Sequence, residues 1–309
     1  MAAERPPAGV ARRLVLGTAQ FGLAYGVTNR RGQVTAAEVA RILAEADAAG
    51  IRRLDTAAGY GDSEAVLGRC LAQHPGFAVA SKTPALPGDR VTAADAARIA
   101  AGLRESLARL GRPKIDLLLL HHGIDLSKPG GEHLAAALAA VKAGGLADRV
   151  GVSVYDAAEL DGVLARFRPD LVQLPLNLFD QRLLRSGHVA RLHDAGIAVQ
   201  VRSAFLQGVL LAAPALPRHF AAFKPALARY AEMLAQTGLT PLTACLGFVL
   251  SQPEIDSLVF GVTGIDELRQ IVAAVARPPA PLPDFGPLAS DDLELIDPRR
   301  WRIAEGAPA

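Results

Sequence analysis

Eight short, continuously apolar runs, each followed by a segment of helical periodicity, predict an α/β fold: a closed (β/α)8 barrel of the TIM type. Three observations carry this expectation. The strand-like runs do not alternate apolar with polar residues, which is the pattern of a parallel sheet covered by helices. Eight such units in about 260 residues match the size of a closed barrel. The turn after the first run, GTAQFG (17–22), is not the GxGxxG that an open doubly wound sheet would normally carry there.

The elements follow in order. RLVLGTA (13–19) is the first strand, and Thr35 with Glu38 forms a capping box that opens a helix closed by Gly50. RRLDTA (52–57) is the second strand, with SEAVLGRCLAQ (63–73) as its helix. FAVASK (77–82) is the third, and Thr92 with Asp95 opens the helix that ends at Gly111. IDLLLLHH (115–122) is the fourth, followed by GEHLAAALAAVKAGG (131–145). VGVSVY (150–155) is paired with AAELDGVLARF (157–167), and LVQLPLN (171–177) with a helix ending at HDAG (193–196). IAVQVRSA (197–204) precedes a longer segment with a helix near ALARYAEMLAQTG (226–238). LVFGV (258–262) and IDELRQIVAAV (265–275) complete the set. RPPAPLPDFGP (277–287) reads as an extended segment wrapping the barrel, ending in a short helix at SDDLELID (290–297). No linker divides the chain, so one barrel domain spans 1–309, with 1–12 and 277–309 as peripheral tails.

Composition narrows the class. With 309 residues, half of them hydrophobic, the chain can bury a large core without disulfides or metals. A formal charge of +2, with arginines scattered along helices, argues against nucleic acid as the main partner. Cys70 and Cys245 fall within helical patterns and show no metal-ligand spacing, so buried thiols in a reducing cytoplasm are expected. The first thirteen residues hold no apolar signal-peptide core, and no apolar run is long enough for a membrane span. A cytoplasmic protein with no membrane partner is expected, its oligomeric state open.

In a barrel of this kind the chemistry lies at the carboxyl ends of the strands. Those ends offer Asp55, Lys82, His121 and His122, Ser153, Gln173, Arg202 and Ser203, with Tyr60 in the loop after the second strand. Singly, each has a structural reading: a turn-capping aspartate, a solvated lysine, a core histidine. As a set they make one chemistry. A free phenol titrates near 10 and is a poor acid at neutral pH; an ammonium beside it favours the phenolate. A carboxylate keeps that ammonium charged and fixed. A neutral histidine can donate a hydrogen bond to a carbonyl oxygen. The product is a proton donor aimed at an oxygen that gains negative charge, as carbonyl reduction requires. A metal-dependent hydrolase fits poorly, since the His121–His122 dipeptide cannot chelate from one face; no metal is expected.

The segments LGTAQFG, GIRRLDTAAGYGDSEAVLG, VASK, LRESLARLGRPKIDLLLLHH, VGVSVY, LVQLPLNLFD and AFLQGVLL, in this order, resemble the aldo-keto reductase family over nearly the whole chain. The resemblance implies a barrel that binds a nicotinamide dinucleotide in extended form and reduces a small-molecule aldehyde or ketone. It assigns Asp55, Tyr60, Lys82 and His121 as a catalytic tetrad with Tyr60 the acid. His121 is chosen over His122 because Asp116 and the four residues after it lead to His121, and neighbours on a strand face opposite ways. It also implies cofactor contacts from Gly17, Thr18, Asp55, Ser153, Gln173, Arg202, Ser203, Phe205, Gln207, Gly208, Thr263 and Glu267. The alternative is a catalytically weak, nucleotide-binding regulatory or scaffold barrel.

Departures from the family pattern concern the cofactor. Ser153 is followed by Val154 where relatives have asparagine, and Arg202 stands where an aromatic stacks on the nicotinamide. Such a charge should favour the reduced ring over the cationic oxidised one. Gly264, Glu267 and Ile271 occupy positions that relatives use around the adenosine phosphate, leaving Arg269 as the only nearby base. The Thr263 hydroxyl and the amides opening the last helix remain as phosphate donors, with Glu267 opposing unless turned outward. NADP(H) is expected ahead of NAD(H), with selectivity below the family norm. The short loop after strand four, GIDLSKPGGEH (123–133), suggests an open, permissive substrate pocket.

Overall fold

The computed structural model describes residues 6–212, 216–279 and 281–301. The outermost parts of both expected tails, 1–5 and 302–309, lie outside the described residues. Eight parallel strands close into one barrel in sequence order, β1 pairing with β8. They are β1 Leu14–Gly17, β2 Arg53–Asp55, β3 Ala78–Lys82, β4 Ile115–Leu120, β5 Ala147–Ser153, β6 Leu171–Pro175, β7 Ala198–Arg202 and β8 Ser257–Gly261. Helices cover the outside, so one face of each strand packs outward on Leu, Ile and Val side chains from both layers. The other face fills the interior. There an apolar plug of Ala80, Leu117, Leu119 and Leu171 lies apart from the main core. Gly151 lets that plug close: a methyl group on it would run into the Leu171 carbonyl and the Leu119 side chain. Among the described residues, no single helix is long and apolar enough to cross a membrane.

Local differences from the sequence reading have physical causes. Thr35 caps its helix by accepting from the Glu38 amide, but the Glu38 carboxylate does not complete the box. It accepts instead from the Ile265 amide, 227 residues away. Thr92 and Asp95 do form the reciprocal pair. After β7 a second helix, Pro241–Leu250, follows Lys224–Thr237; Thr240 and Thr243 cap it and proline occupies its first turn. This helix is apolar on most sides, with Ala244, Cys245, Leu246, Phe248 and Val249 buried, so it lacks the one-sided stripe that marks a helix in sequence. The proline-rich tail buries Phe285, Leu288, Leu295 and Ile296, and the Gln181 side chain ties it down by donating to the Phe285 carbonyl. A short helix, Leu293–Ile296, follows.

Candidate active site

Parallel register brings the strand ends together. Asp55 lies beside Gly17 on one side and Ala80 on the other, and Lys82 lies beside Leu119. The Lys82 side chain is buried and its ammonium pairs with Asp55 Oδ1. It also donates to the Thr56 carbonyl at 2.9 Å and to Tyr60 Oη at 3.3 Å. Three donors and three acceptors leave no proton of the ammonium without a partner. Burial alone would pull this ammonium down; Asp55 and Tyr60 more than offset it and hold it above its usual value.

Tyr60 is fixed by its loop rather than by a strand. Its amide closes a turn onto the Ala57 carbonyl, and Gly61 follows in the left-handed region at φ 54°. Gly22 packs so close that a methyl group there would strike the Tyr60 carbonyl. The Ser63 hydroxyl then ties the start of the next helix to the residue just after β1 by donating toward Thr18. These small residues explain why the phenol can sit over the strand ends at all.

The second Asp55 oxygen accepts from Gln173 Nε2 at 2.8 Å. The other proton of that amide goes to Gln200 Oε1, also at 2.8 Å, and Gln200 donates on to Ser257 at 3.2 Å. All four residues are buried. An ionised carboxylate can only accept, which orients the Gln173 amide and leaves its Oε1 for the cavity. Ser153, the neighbour of Gln173 across β5 and β6, accepts from Arg202 Nε at 3.3 Å and keeps its own proton. A hydroxyl donor beside an amide acceptor complements a carboxamide, so the residues present fit the head of a nicotinamide.

His121 does not owe its direction to strand alternation. β4 ends at Leu120, and the His121 and His122 rings stack with centroids 5.1 Å apart instead of pointing opposite ways. His121 lines the cavity edge-on to the Tyr60 ring, centroids 6.0 Å apart, whereas His122 is exposed. Burial first, then Lys82, His122 and Arg202, push His121 down to about 3, so it is a neutral imidazole at ordinary pH.

Gly17, Thr18, Ser153, Gln173, Arg202, Ser203, Phe205, Gln207, Gly208, Thr263 and Glu267 line one cavity of about 760 Å³, together with Asp55, Tyr60 and His121. Lys82 lies beneath its wall. The segment after β7 is strained: Ser203, Leu206 and Gln207 hold φ of 60°, 47° and 51°, where non-glycine residues rarely sit. Arg202 is held by protein groups. Its guanidinium donates to Ser153, Ser203 and the Val154 carbonyl and packs 4.0 Å from the Tyr155 ring centroid.

Three expectations are corrected at the head of the last helix. The Thr263 hydroxyl and amide are taken by the Glu267 carboxylate, at 2.7 and 2.6 Å. The Ile265 amide is taken by Glu38. Arg269 pairs with Glu45, and Arg30 and Arg31, from the loop after β1, line the cavity near Thr263 and Glu267 in its place. Other lining residues went unnoticed in the sequence. Tyr25 was signalled only by a glycine-flanked loop like that of Tyr60; burial and Tyr60 push its phenol up, so it stays a donor. Tyr155, Pro298 and Arg299 also line the cavity. Arg299 is held by Asp297 and lies 3.6 Å from the Tyr155 ring, a position set by where the tail docks and therefore without sequence signal.

Comparison with known proteins adds independent findings. An aldo-keto reductase of Mycolicibacterium smegmatis is 34% identical over 166 residues, 50% of this chain and 54% of the relative. The NADH-specific methylglyoxal reductase of Escherichia coli is 26% identical over 264 residues, 75% of this chain and 80% of that protein. The chain spans about half the length of the first of these. An aldo-keto reductase from Bacillus halodurans, solved in its holo form, shares the fold with a TM-score of 0.71 at 21% identity, covering 94% of this chain and 95% of that one. The model of the aldo/keto reductase family matches residues 13–283, nearly the whole barrel just described. This chain therefore belongs to the aldo/keto reductase family.

Proposed function

We propose that the protein is an oxidoreductase that reduces the carbonyl of a small molecule with a reduced nicotinamide cofactor, Tyr60 serving as general acid. One observation carries this: a phenol at the cavity wall, 3.3 Å from a buried ammonium that is itself paired with a carboxylate, beside a neutral histidine. Ser153 and Gln173 would hold the carboxamide, and the strained turn at residues 203–208 would line the remainder. When bound, the cofactor supplies the hydride. Tyr60 supplies the proton to the carbonyl oxygen, His121 orients that oxygen with a neutral N–H, and Lys82 stabilises the phenolate left behind. Asp55 holds Lys82 in place. A silent scaffold would have no use for a buried, fully partnered ammonium aimed at a phenol. The E. coli relative's name makes methylglyoxal a first carbonyl to assay.

The test is Tyr60→Phe, which deletes one hydroxyl and keeps the ring. Turnover of aldehydes should fall about 10²- to 10⁴-fold, the usual loss for a missing general acid, while reduced-cofactor affinity stays near wild type. Wild-type turnover in the variant would remove Tyr60 from the role.

A further inference from the structure

We infer that this chain selects the dinucleotide that carries no phosphate on its adenosine ribose, NAD(H), and that Glu267 and Glu38 make the selection. This rests on the cavity being a nicotinamide-dinucleotide site, as proposed above. A dinucleotide held by its carboxamide at Ser153 and Gln173 has the stretch lined by Arg30, Arg31, Thr263 and Glu267 available for its adenosine half.

A phosphate monoester there would need donors and positive charge. Three of the donors at this helix start are already taken by carboxylates. Glu267 accepts both the Thr263 amide and the Thr263 hydroxyl, and Glu38 accepts the Ile265 amide. These are among the groups that would otherwise face an anion at the start of this helix. Both acceptors are carboxylates, and Asp266 adds a third in the same first turn. A phosphate would have to displace a carboxylate from its own hydrogen bonds and then remain beside it. A ribose diol meets the opposite situation, because its hydroxyls can donate to the lone pairs that Glu267 still has free. An acid that accepts from a ribose hydroxyl in place of a base is the general device for the unphosphorylated cofactor.

Arg41 pairs with Glu38 at 2.6 Å, and Arg30 and Arg31 are the cations that line this stretch of the cavity, Arg31 nearest the helix start. A Cβ on Gly264 would stand 2.7 Å from its Nη1 and 3.6 Å from Glu38 Oε1, so the guanidinium lies over the helix start close to the Glu38 carboxylate. It is an exposed cation beside an acidic helix start, and we assign it to balancing that charge. Arg31 makes the sharpest contrary case, because if it were a phosphate ligand the selectivity would reverse.

The experiment is a direct titration of the purified protein with NADH and with NADPH, followed by reduced-nicotinamide fluorescence, on wild type, Glu267→Gln, the double variant Glu38→Gln/Glu267→Gln, and Arg31→Ala. Wild type should bind NADH about tenfold or more tighter, the size of one unscreened like-charge contact near a surface. The double variant keeps the shapes and removes two charges, so the ratio should fall by about tenfold or more through a gain in NADPH affinity. Arg31→Ala should leave the preference for NADH in place or enlarge it. Equal or tighter NADPH binding by wild type, or a ratio unmoved in the double variant, would overturn the inference while leaving the cofactor site intact. Failure of both dinucleotides to bind a folded wild type would overturn the cofactor reading itself, and the inference with it.

Discussion

His121 gives the most quantitative test of the site. In the folded chain burial and the charges of its neighbours hold it at about 3, against an ordinary 6.5. The folded state therefore keeps it neutral, while the unfolded chain takes up a proton as pH falls through 6.5. Stability is present in full above 6.5 and is lost as pH falls toward 3, since the unfolded state binds more protons throughout that window. At 1.36 kcal/mol per pH step the full penalty is about 5 kcal/mol, and the share reached by pH 5 is about 2 kcal/mol. His121→Gln keeps a neutral donor and removes the titration. Urea unfolding of both proteins at pH 7.5 and pH 5 isolates the difference, with unchanged m-values as the control. Wild type should lose about 2 kcal/mol more than the variant over that interval. Parallel losses would mean that His121 is not held neutral, and the role of neutral donor would go with it.

The remaining expectations follow from particular contacts. Lys82→Met removes the ammonium that faces Tyr60, and Asp55→Asn leaves it in place but less firmly held; pH–rate profiles of both should shift, the lysine variant further, and two unshifted profiles would show that Lys82 does not act on Tyr60. Arg202 has hydrogen-bond partners that are all uncharged, so its charge should make reduced cofactor bind about tenfold tighter than oxidised, and Arg202→Gln should narrow that gap; a ratio untouched by the variant refutes the idea. Gly208 holds φ 94° against Thr28, so Gly208→Ala should lower Tm, and adding Thr28→Ala should recover part of the loss; an unchanged Tm in the single variant refutes the close approach.

What the sequence disclosed divides along physical lines. The barrel was legible because continuous apolar strands and amphipathic helices are local patterns, and eight of them leave few closures. Asp55, Lys82 and the His121–His122 pair were legible because strand ends are marked by the switch from apolar to polar residues. Direction was harder. The His121 and His122 rings stack because the strand stops one residue before them, which no periodicity displays. Long-range partners were not legible at all. Glu38 carries the capping-box spacing and spends its carboxylate on Ile265 instead; Gln173 and Gln200 meet only because β6 and β7 are in register. Arg31 and Arg299 reach the cavity from a loop and a tail whose docking depends on the finished barrel.

The direction of the Tyr60 proton follows from counting. Lys82 has three protons, and they go to Asp55, the Thr56 carbonyl and Tyr60 Oη. An ammonium has no lone pair, so Tyr60 accepts in this contact and its own hydrogen must point elsewhere. Tyr60 borders the cavity, whose wall His121 also lines. The count stays fixed because Asp55 cannot turn: its second oxygen is engaged by Gln173, whose amide is in turn held by Gln200 and, through it, by Ser257. A buried ion pair is costly unless every member is hydrogen-bonded, and here every proton of the ammonium and both carboxylate oxygens have partners. The chain across the barrel floor thus does more than satisfy buried amides. It fixes the ammonium from which the Tyr60 oxygen accepts, the contact on which the proposed acid role rests.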